Sequence, residues 1–292
     1  MDKSLYLEKN ISQQPAIDLL QSMGYTYISP ADCEAQRGSR YHVLLKDILR
    51  GQLRRLNRYN FAGAENEFSA ANIERAIDDL DEPLTDGLVR TSEKIYDALM
   101  LGKSYPETVG EGKTLSFNLK YIDWEHPENN LFHVTDEFAV DSRDKLHNAR
   151  PDLVLFINGI PFAVIECKAP QISVDQAVEQ NIRNQQSEYI PQLYKFAQIV
   201  MATNKNAVKY ATTATPKKFW NVWKEQDTAF LEDTLDRYIP DRVPTEQDRN
   251  LISLFSKERV MELIRYFVLF DANVKKICRY QQYFAHQDRP AA

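Results

Sequence analysis

The sequence predicts an α/β (α+β) fold, in which helices flank one central mixed sheet and a helical extension follows at the C-terminal end. Three observations lead to this prediction. Apolar residues recur at helical spacing through the first hundred residues, and strand-like runs follow one another across residues 115–167. Around residues 238–250 the chain becomes rich in Pro and Asp, which indicates a domain boundary.

The N-terminal part is predicted to be mainly helical. A short helix over residues 12–24 has Pro15 in its first turn, and the strand-like residues 25–29 follow it. A longer helix is expected in the basic segment that comes next. Apolar spacing then predicts helices over residues 69–80 and 90–101.

The basic segment carries a cation at every fourth position, which on a helix would form one stripe. The stripe consists of Lys46, Arg50, Arg54 and Arg58. We interpret it as a solvated helix face. The alternative is a contact with DNA phosphates or with a partner protein.

The sheet is predicted to come from the middle of the chain. The strand-like runs occupy residues 115–122, 132–140, 153–157, 162–167, 199–203 and 208–211. A helix over residues 174–189 separates the fourth run from the fifth, and residues 251–284 have the apolar spacing of two helices.

The segment from Arg150 to Lys168 carries the strongest functional signal. Asn158-Gly159, a dipeptide typical of a tight hairpin, joins two apolar strands in this segment. At the ends away from that turn, Asp152 opens the first strand, and Glu166 and Lys168 close the second. Buried carboxylates are costly unless they are compensated. A divalent cation held by both of them, beside a lysine that meets a phosphate, would compensate them.

The alternation of side chains makes this site testable. Glu166 and Lys168 share one face of their strand, and Cys167 points the other way. A strict two-residue turn would pair Asp152 with Ile165 and place the two carboxylates on opposite faces. We therefore predict a loop of odd length or a bulge in the hairpin. The alternative is an ordinary hairpin with a surface salt bridge between Glu166 and Lys168.

Composition limits the functional classes. The net charge of −6 is unlike that of a free-standing nucleic-acid binder, so any DNA contact must come from local patches or from a partner subunit. Three cysteines lie far apart, which argues against a zinc site and for a reducing cytoplasm. No run is apolar enough for a membrane span, and no GxxxxGK[ST] phosphate loop occurs. We expect a cytoplasmic protein without ATP chemistry of its own.

The sequence resembles a known family at two levels. Pro-Asp152, the strand pair and Glu166-x-Lys168 resemble the PD-(D/E)XK nuclease motif. Longer segments resemble the N-terminal part of the R (HsdR) subunit of type I restriction-modification enzymes, and the likeness extends over residues 24–285. These segments include YIDW from Tyr121, NNLFHV from Asn129, YIPQLY from Tyr189, YATTATP from Tyr210 and FWNVWKE from Phe219.

The resemblance implies a restriction-endonuclease-like core and the activity of a type I site-specific deoxyribonuclease, which hydrolyses double-stranded DNA with Mg²⁺, or with Mn²⁺ in its place. It implies a nuclease domain over residues 1–240 and a helical connector over residues 241–292. The connector would lead to an ATP-driven DNA translocase that is absent from this chain, and Gln282 or Gln281 would contact the adenine of ATP in that motor. The implied partners are DNA and the modification (methyltransferase) and specificity subunits.

The resemblance also implies roles for site residues. Asp152 and Glu166 would bind the metal, with the Cys167 carbonyl as a further ligand, and Lys168 would orient the attacking water and offset charge on the phosphate.

Related nucleases place a Gln-x-x-x-Tyr pair on the following helix. Counting from Lys168 favours Gln180, with Asn184 in place of the tyrosine, whereas Gln185 and Tyr189 match the letters. A further acid is common on the first helix. The residues available in that region are Glu8, Gln13, Gln14 and Asp18, and the sequence does not choose among them.

Two other functions compete with the endonuclease. The same fold could be a docking and gating module between motor and methyltransferase, with a nuclease that is silent in isolation. The second competing function is a stand-alone nuclease of repair or recombination. The connector over residues 241–292 argues against it, because it resembles a segment that leads to a motor domain.

Overall fold

A computed structural model describes residues 9–287 of the protein. A turn of π-helix, Lys9–Gln13, precedes the first α-helix. The α-helices are α1 (Gln14–Ser22), α2 (Pro30–Arg37), α3 (Lys46–Leu56), α4 (Ala70–Leu80), α5 (Leu88–Leu101), α6 (Val174–Asn184), α7 (Pro191–Tyr194), α8 (Thr228–Tyr238), α9 (Glu246–Phe255), α10 (Lys257–Phe267) and α11 (Tyr280–Gln287). The strands are β1 (Thr26–Tyr27), β2 (Tyr59–Phe61), β3 (Ala64–Asn66), β4 (Lys103–Val109), β5 (Lys113–Leu119), β6 (Phe132–Asp136), β7 (Val140–Asp141), β8 (Asn148–Ala149), β9 (Leu153–Ile157), β10 (Ile160–Cys167), β11 (Ile199–Thr203), β12 (Val208–Ala211), β13 (Val268–Asp271) and β14 (Val274–Ile277).

A six-stranded mixed sheet with the order β1-β6-β9-β10-β11-β12 forms the centre of the molecule. β1 pairs with β6 and β10 with β11 in parallel, and the other neighbours are antiparallel. Every residue of β6, β9, β10 and β11 is buried, and β9, β10 and β11 are accordingly nearly continuous apolar runs in the sequence. The predicted α/β (α+β) core with a central mixed sheet is confirmed.

Helices cover both faces of this sheet. α6 packs against β10 and β11 on the face where Glu166 lies. On the other face, α9 reaches β11 through the Thr203 hydroxyl, which donates to the Gln247 carboxamide over 3.2 Å, and α9 also packs against α1. The two layers leave the strand ends as the places where polar side chains can gather.

The turn of the β9–β10 hairpin is packed against α3. Asn158 is fully buried, and its carboxamide donates to the Tyr121 carbonyl over 3.0 Å and accepts from the Gln52 amide over 2.7 Å. The Leu45 amide, just before α3, donates to the Gly159 carbonyl over 2.9 Å. These bonds fix the turn, and therefore both strands that lead away from it, against the helical layer.

One predicted strand lies outside the central sheet. The run predicted over residues 115–122 is β5, which pairs with β4 in a separate two-stranded sheet. The sequence does not predict β4, because Pro106 and two charged residues, Lys103 and Glu107, interrupt its pattern. Its buried residues alternate nevertheless, and they include Tyr105, Glu107 and Val109.

The prediction of two helices over residues 251–284 was wrong in one respect. The C-terminal part is helical, as expected, but the β13–β14 hairpin separates α10 from α11. Ala272 and Asn273 form its turn with φ of 48° and 62°, a conformation that suits a two-residue hairpin. The apolar spacing on either side of this turn conceals it from a search for helical periodicity.

Candidate active site

A bulge brings the two carboxylates of the β9–β10 hairpin to one face. Ile160 pairs with Ile157 and Pro161 with Phe156, but the register then shifts by one, and Ala163 pairs with Leu155. Phe162 is the extra residue. One step beyond the last pair, Ile165 with Leu153, the ladder brings Glu166 opposite Asp152. The predicted bulge is confirmed, since the two-residue turn alone would have separated the carboxylates.

The carboxylates lie at the buried end of the hairpin. The Glu166 side chain is fully buried and Asp152 is 9% exposed. Burial, and then the charge of Asp152, raise the pKa of Glu166 well above its ordinary value, while the Lys168 ammonium acts in the opposite direction. The Cys167 amide donates to Oδ2 of Asp152 over 2.6 Å. The site therefore holds two carboxyl groups close together in a place from which water is excluded, and ionising both of them there is costly without a compensating charge.

Helix α6 supplies the amides that hold Glu166. Nε2 of Gln180 donates to Oε2 of Glu166 over 2.7 Å, and Nδ2 of Asn184 donates to Oε1 over 3.1 Å. Both carboxylate oxygens are thus bonded from two positions four residues apart on one helix. Asn184 departs from the Gln-x-x-x-Tyr pattern, in which a tyrosine occupies this position, but its amide contacts the Glu166 carboxylate directly.

The other glutamine and tyrosine of this region face elsewhere. Gln185 donates to the Asn181 carbonyl over 3.2 Å and accepts from the Ala214 amide over 2.7 Å. The Tyr189 ring lies 5.2 Å from the His147 ring. The structure therefore brings Gln180 to the carboxylates, and it does not bring Gln185 or Tyr189 there.

Lys168 follows directly after the carboxylate strand. Its Nζ donates to the Cys167 carbonyl over 3.0 Å, and its own carbonyl accepts from the Ser12 hydroxyl over 2.8 Å. The Cys167 side chain is buried away from Glu166. Lys168 is partly exposed, so its ammonium lies where the buried carboxylates meet solvent.

The N-terminal region contributes Gln13 to the site. Nε2 of Gln13 donates to the Asp152 carbonyl over 2.8 Å and to Oε1 of Glu137 over 3.3 Å. Gln14 bonds Asp18 on the exposed side of α1, so these two do not reach the carboxylates. Glu8 lies outside the described residues.

Glu137 is a neighbour of the site that sequence reasoning missed. Its backbone has φ of 48°, and its amide donates to the Asp152 carbonyl over 3.0 Å. No motif marks it, because it follows the end of β6 in a loop. Its position is visible only once β6 and β9 are paired.

The basic stripe of α3 lies at the opposite end of the sheet. The helix packs on the Asn158-Gly159 turn, and β10 extends for eight residues from there to Cys167. At about 3.3 Å per residue, roughly 25 Å separate the two ends.

Acids of the same molecule neutralise much of the stripe. Arg50 pairs with Asp47 and Glu74, Lys46 approaches Asp78 to 3.7 Å, and Arg58 approaches Glu67 to 2.9 Å. Arg54 is exposed. The DNA contact of this stripe stays a prediction.

The C-terminal glutamine has a local role in the structure. Oε1 of Gln282 accepts a hydrogen bond from the Arg279 amide over 2.8 Å at the start of α11. Its contact with adenine, and the domain division at residue 240, stay predictions.

Among the described residues, none of the helices has both the length and the apolar character that crossing a bilayer requires.

The side chains at the site offer oxygen atoms to a metal ion. Within residues 9–287, no group of three or more His, Cys, Asp and Glu side chains could hold a metal. Two carboxylates and the Cys167 carbonyl are oxygen ligands, which suit Mg²⁺ when waters and substrate oxygens complete the shell. A cation would also relieve the repulsion that raises the pKa of Glu166. The residues therefore fit Mg²⁺ and do not fit zinc.

Known proteins are similar to this chain over most of its length. Residues 5–219 match the family model described as the type I restriction enzyme R protein N terminus. The chain is 26% identical to a putative type I restriction enzyme MjaIXP endonuclease subunit of Methanocaldococcus jannaschii, over 95% of this chain and 27% of that protein. It is 24% identical to the type I restriction enzyme HindI endonuclease subunit of Haemophilus influenzae, over 95% of this chain and 26% of that one.

Proposed function

Because the chain belongs to the family of type I restriction enzyme R proteins and matches their N-terminal region, we propose that it is the DNA-cleaving part of such an enzyme. The reaction would be Mg²⁺-dependent hydrolysis of phosphodiester bonds in double-stranded DNA. One observation carries the proposal. The bulge at Phe162 places Asp152 and Glu166 on one face, beside Lys168.

Each side chain has a task in this proposal. Asp152, Glu166 and the Cys167 carbonyl would hold Mg²⁺, which when bound supplies positive charge at the phosphate oxygens. Lys168 would orient the attacking water and donate to the phosphate, whose negative charge grows in the transition state. Gln180 and Asn184 would keep the Glu166 carboxylate in place through their amides.

The chain spans about a quarter of the length of the curated relatives named above. We therefore propose that in a full-length enzyme the nuclease is coupled to ATP-driven translocation, and that modification and specificity subunits complete the complex. Target recognition would belong to those subunits, since the site residues named here would contact the phosphate backbone, which is the same in every sequence.

A docking and gating function has one observation in its favour. A groove of about 610 Å³ lies between the β13–β14 hairpin and the loop after β12. Its exposed apolar residues are Phe219, Tyr266, Leu269 and Val274. Such a patch is typical of an interaction surface, and the motor of a longer enzyme would be its occupant.

Cleavage of supercoiled plasmid by the purified chain tests the nuclease. With Mg²⁺ or Mn²⁺, we expect the wild type to convert the plasmid to nicked and linear forms. Asp152→Asn and Lys168→Ala should each lower the rate roughly 100-fold or more, because the first weakens the hold on Mg²⁺ and the second removes a positive charge beside the phosphate.

Glu179→Gln is the matched control, since Glu179 lies on the exposed side of α6 and pairs with Lys217. It should cleave like the wild type. Equal rates for Lys168→Ala and the control would reject the mechanism. A wild type that binds Mn²⁺ through Asp152 and Glu166 without cutting would favour the docking and gating function.

A further inference from the structure

The β7–β8 hairpin projects from the end of the sheet that carries the carboxylates. It leaves the sheet after β6 and returns immediately before Asp152. At its base the Glu137 amide donates to the Asp152 carbonyl over 3.0 Å, and the Phe138 amide donates to the Pro151 carbonyl over 3.2 Å. The base of the hairpin is therefore fixed to the backbone of Asp152, a residue of the candidate active site.

The tip of the hairpin presents positive charge to solvent. Residues 143–148 are all exposed, and they include Arg143 and Lys145. Asp144, the acid between them, accepts from the Ser142 hydroxyl over 2.6 Å and from the Leu146 amide over 2.9 Å. These bonds lower the pKa of Asp144. The acid thus serves to shape the loop.

Neither cation at the tip has an ion-pair partner within residues 9–287. Among the described residues, Arg143 and Lys145 make no salt bridge with a carboxylate. The α3 stripe differs, because Arg50 pairs there with two acids. Ligand phosphates would therefore meet more accessible positive charge at the hairpin than at Arg50.

The tip is held in one conformation by its own backbone. The Ser142 amide donates to the His147 carbonyl over 2.8 Å, and the Lys145 amide donates to the Ser142 carbonyl over 3.0 Å. Further down the hairpin, Gln192 of α7 donates to the Asp141 carbonyl over 2.7 Å. A loop ordered before binding loses less entropy when a ligand arrives.

Leu146 adds an apolar contact to this charged tip. It is 78% exposed and follows Lys145 directly. A duplex groove offers rows of phosphates on either side of apolar sugar faces, and apolar side chains often enter it between cations.

We propose that the β7–β8 hairpin is a DNA clamp, in which Arg143 and Lys145 bind backbone phosphates while Leu146 enters the groove next to the scissile bond. This inference deepens the proposed nuclease function and rests on it for the identity of the ligand. The clamp would act without reading sequence, since phosphates and sugars are the same at every site.

Binding of a fluorescein-labelled 30-base-pair duplex to the full chain, measured by anisotropy in EDTA over a series of salt concentrations, tests the clamp. Removing two phosphate contacts with Arg143→Ala/Lys145→Ala should lower affinity at least about 10-fold and make the slope of log affinity against log salt less negative by about 1.8, at about 0.9 per contact. Leu146→Ser should weaken binding and leave the slope unchanged, because it removes no charge.

Lys113→Ala/Arg237→Ala is the matched control. It also removes one lysine and one arginine, and both side chains are exposed and paired with neighbouring acids. Equal losses in the two double variants would overturn the clamp, and so would a wild type that fails to bind the duplex. A larger loss in Lys46→Ala/Arg54→Ala than in the hairpin variant would overturn it in favour of the α3 stripe.

The outcomes separate the clamp from the nuclease. A hairpin-dependent loss of binding in a chain that cuts no plasmid would support the clamp and reject the nuclease. If the wild type cleaves plasmid and the Arg143→Ala/Lys145→Ala variant binds the duplex as the wild type does, the nuclease is supported and the clamp is rejected. Asp152→Asn should bind the duplex at least as well as the wild type in EDTA, because it removes a negative charge near the phosphates.

Discussion

At the scale of single residues, the helix period decides which glutamine serves the carboxylates. Gln185 and Tyr189 match the nuclease pattern by letter, but Gln185 is five positions after Gln180 and so about 140° further round the helix. Gln180 and Asn184 are four positions apart and share a face. That face meets Glu166, with amide-to-carboxylate distances of 2.7 and 3.1 Å.

Replacing each glutamine by alanine should therefore have different effects. Gln180→Ala should weaken Mn²⁺ binding roughly 10- to 100-fold, the cost typical of losing a partner that orients a metal ligand. Gln185→Ala should leave metal affinity unchanged and lower the free energy of unfolding by about 0.5–1.5 kcal/mol, because the hydrogen bond from the exposed Ala214 amide is lost. Calorimetric titration and urea unfolding measure the two quantities. A loss of metal affinity in Gln185→Ala alone would reassign the helix residue.

At the scale of elements, the β9–β10 hairpin links its turn to the active site. The turn fixes where both strands start, and the bulge at Phe162 sets which face Glu166 takes. The need for this bulge follows from side-chain parity between Asp152 and Glu166. The exact position of the extra residue at Phe162 does not follow from parity. Pro161 marks only the neighbourhood, because a proline in an interior strand lacks the amide that a ladder bond needs.

Gly159→Ala should be strongly destabilising. Gly159 has φ of +83°, and a Cβ there would lie 2.6 Å from the Leu45 carbonyl oxygen of the packed helical layer. We expect a loss of at least about 3 kcal/mol in the free energy of unfolding, from left-handed strain and overpacking together. Urea unfolding measures it.

Gly63→Ala provides the comparison for that variant. Gly63 lies in the β2–β3 turn with φ of +80°, and a Cβ at this position would meet no other side chain or backbone within 4 Å. The strain alone should cost about 1–2 kcal/mol. Equal losses at the two glycines would show that contact with α3 does not hold the hairpin.

At the scale of the whole molecule, the two ends of the sheet differ. The carboxylates and the β7–β8 hairpin lie at one end, and the basic helix covers the turn at the other. The sequence predicts the sheet, the hairpin and the carboxylate pair, because these depend on local alternation and one turn. It does not show that α3 is remote from Asp152, or that Glu137 and Asn184 join the site, because those facts depend on how distant elements pack.

The C-terminal hairpin is attached to the rest of the molecule through a buried lysine. Lys275 of β14 is 2% exposed, and its Nζ donates to the Ser92 hydroxyl of α5 over 3.0 Å and to the Ala197 carbonyl over 2.8 Å. Burial lowers the pKa of this amine well below its ordinary value. The neighbouring Lys276 is exposed and pairs with Asp271.

The lowered pKa of Lys275 makes stability depend on pH in a defined direction. Between the folded pKa and the unfolded pKa, near 10.4, the unfolded chain binds more protons than the folded one, so stability rises with pH. Lys275→Met should therefore be at least as stable as the wild type at pH 7. Its advantage should be smaller at pH 9.5, because the free energy of unfolding of the wild type rises as the pH approaches the unfolded pKa of the lysine. Urea unfolding at both pH values, with Lys276→Met as the control that should show no such trend, measures the effect. A Lys275→Met variant that is several kcal/mol less stable than the wild type at pH 7 would mean that the two hydrogen bonds outweigh the buried charge, and that Lys275 fastens the C-terminal hairpin to α5.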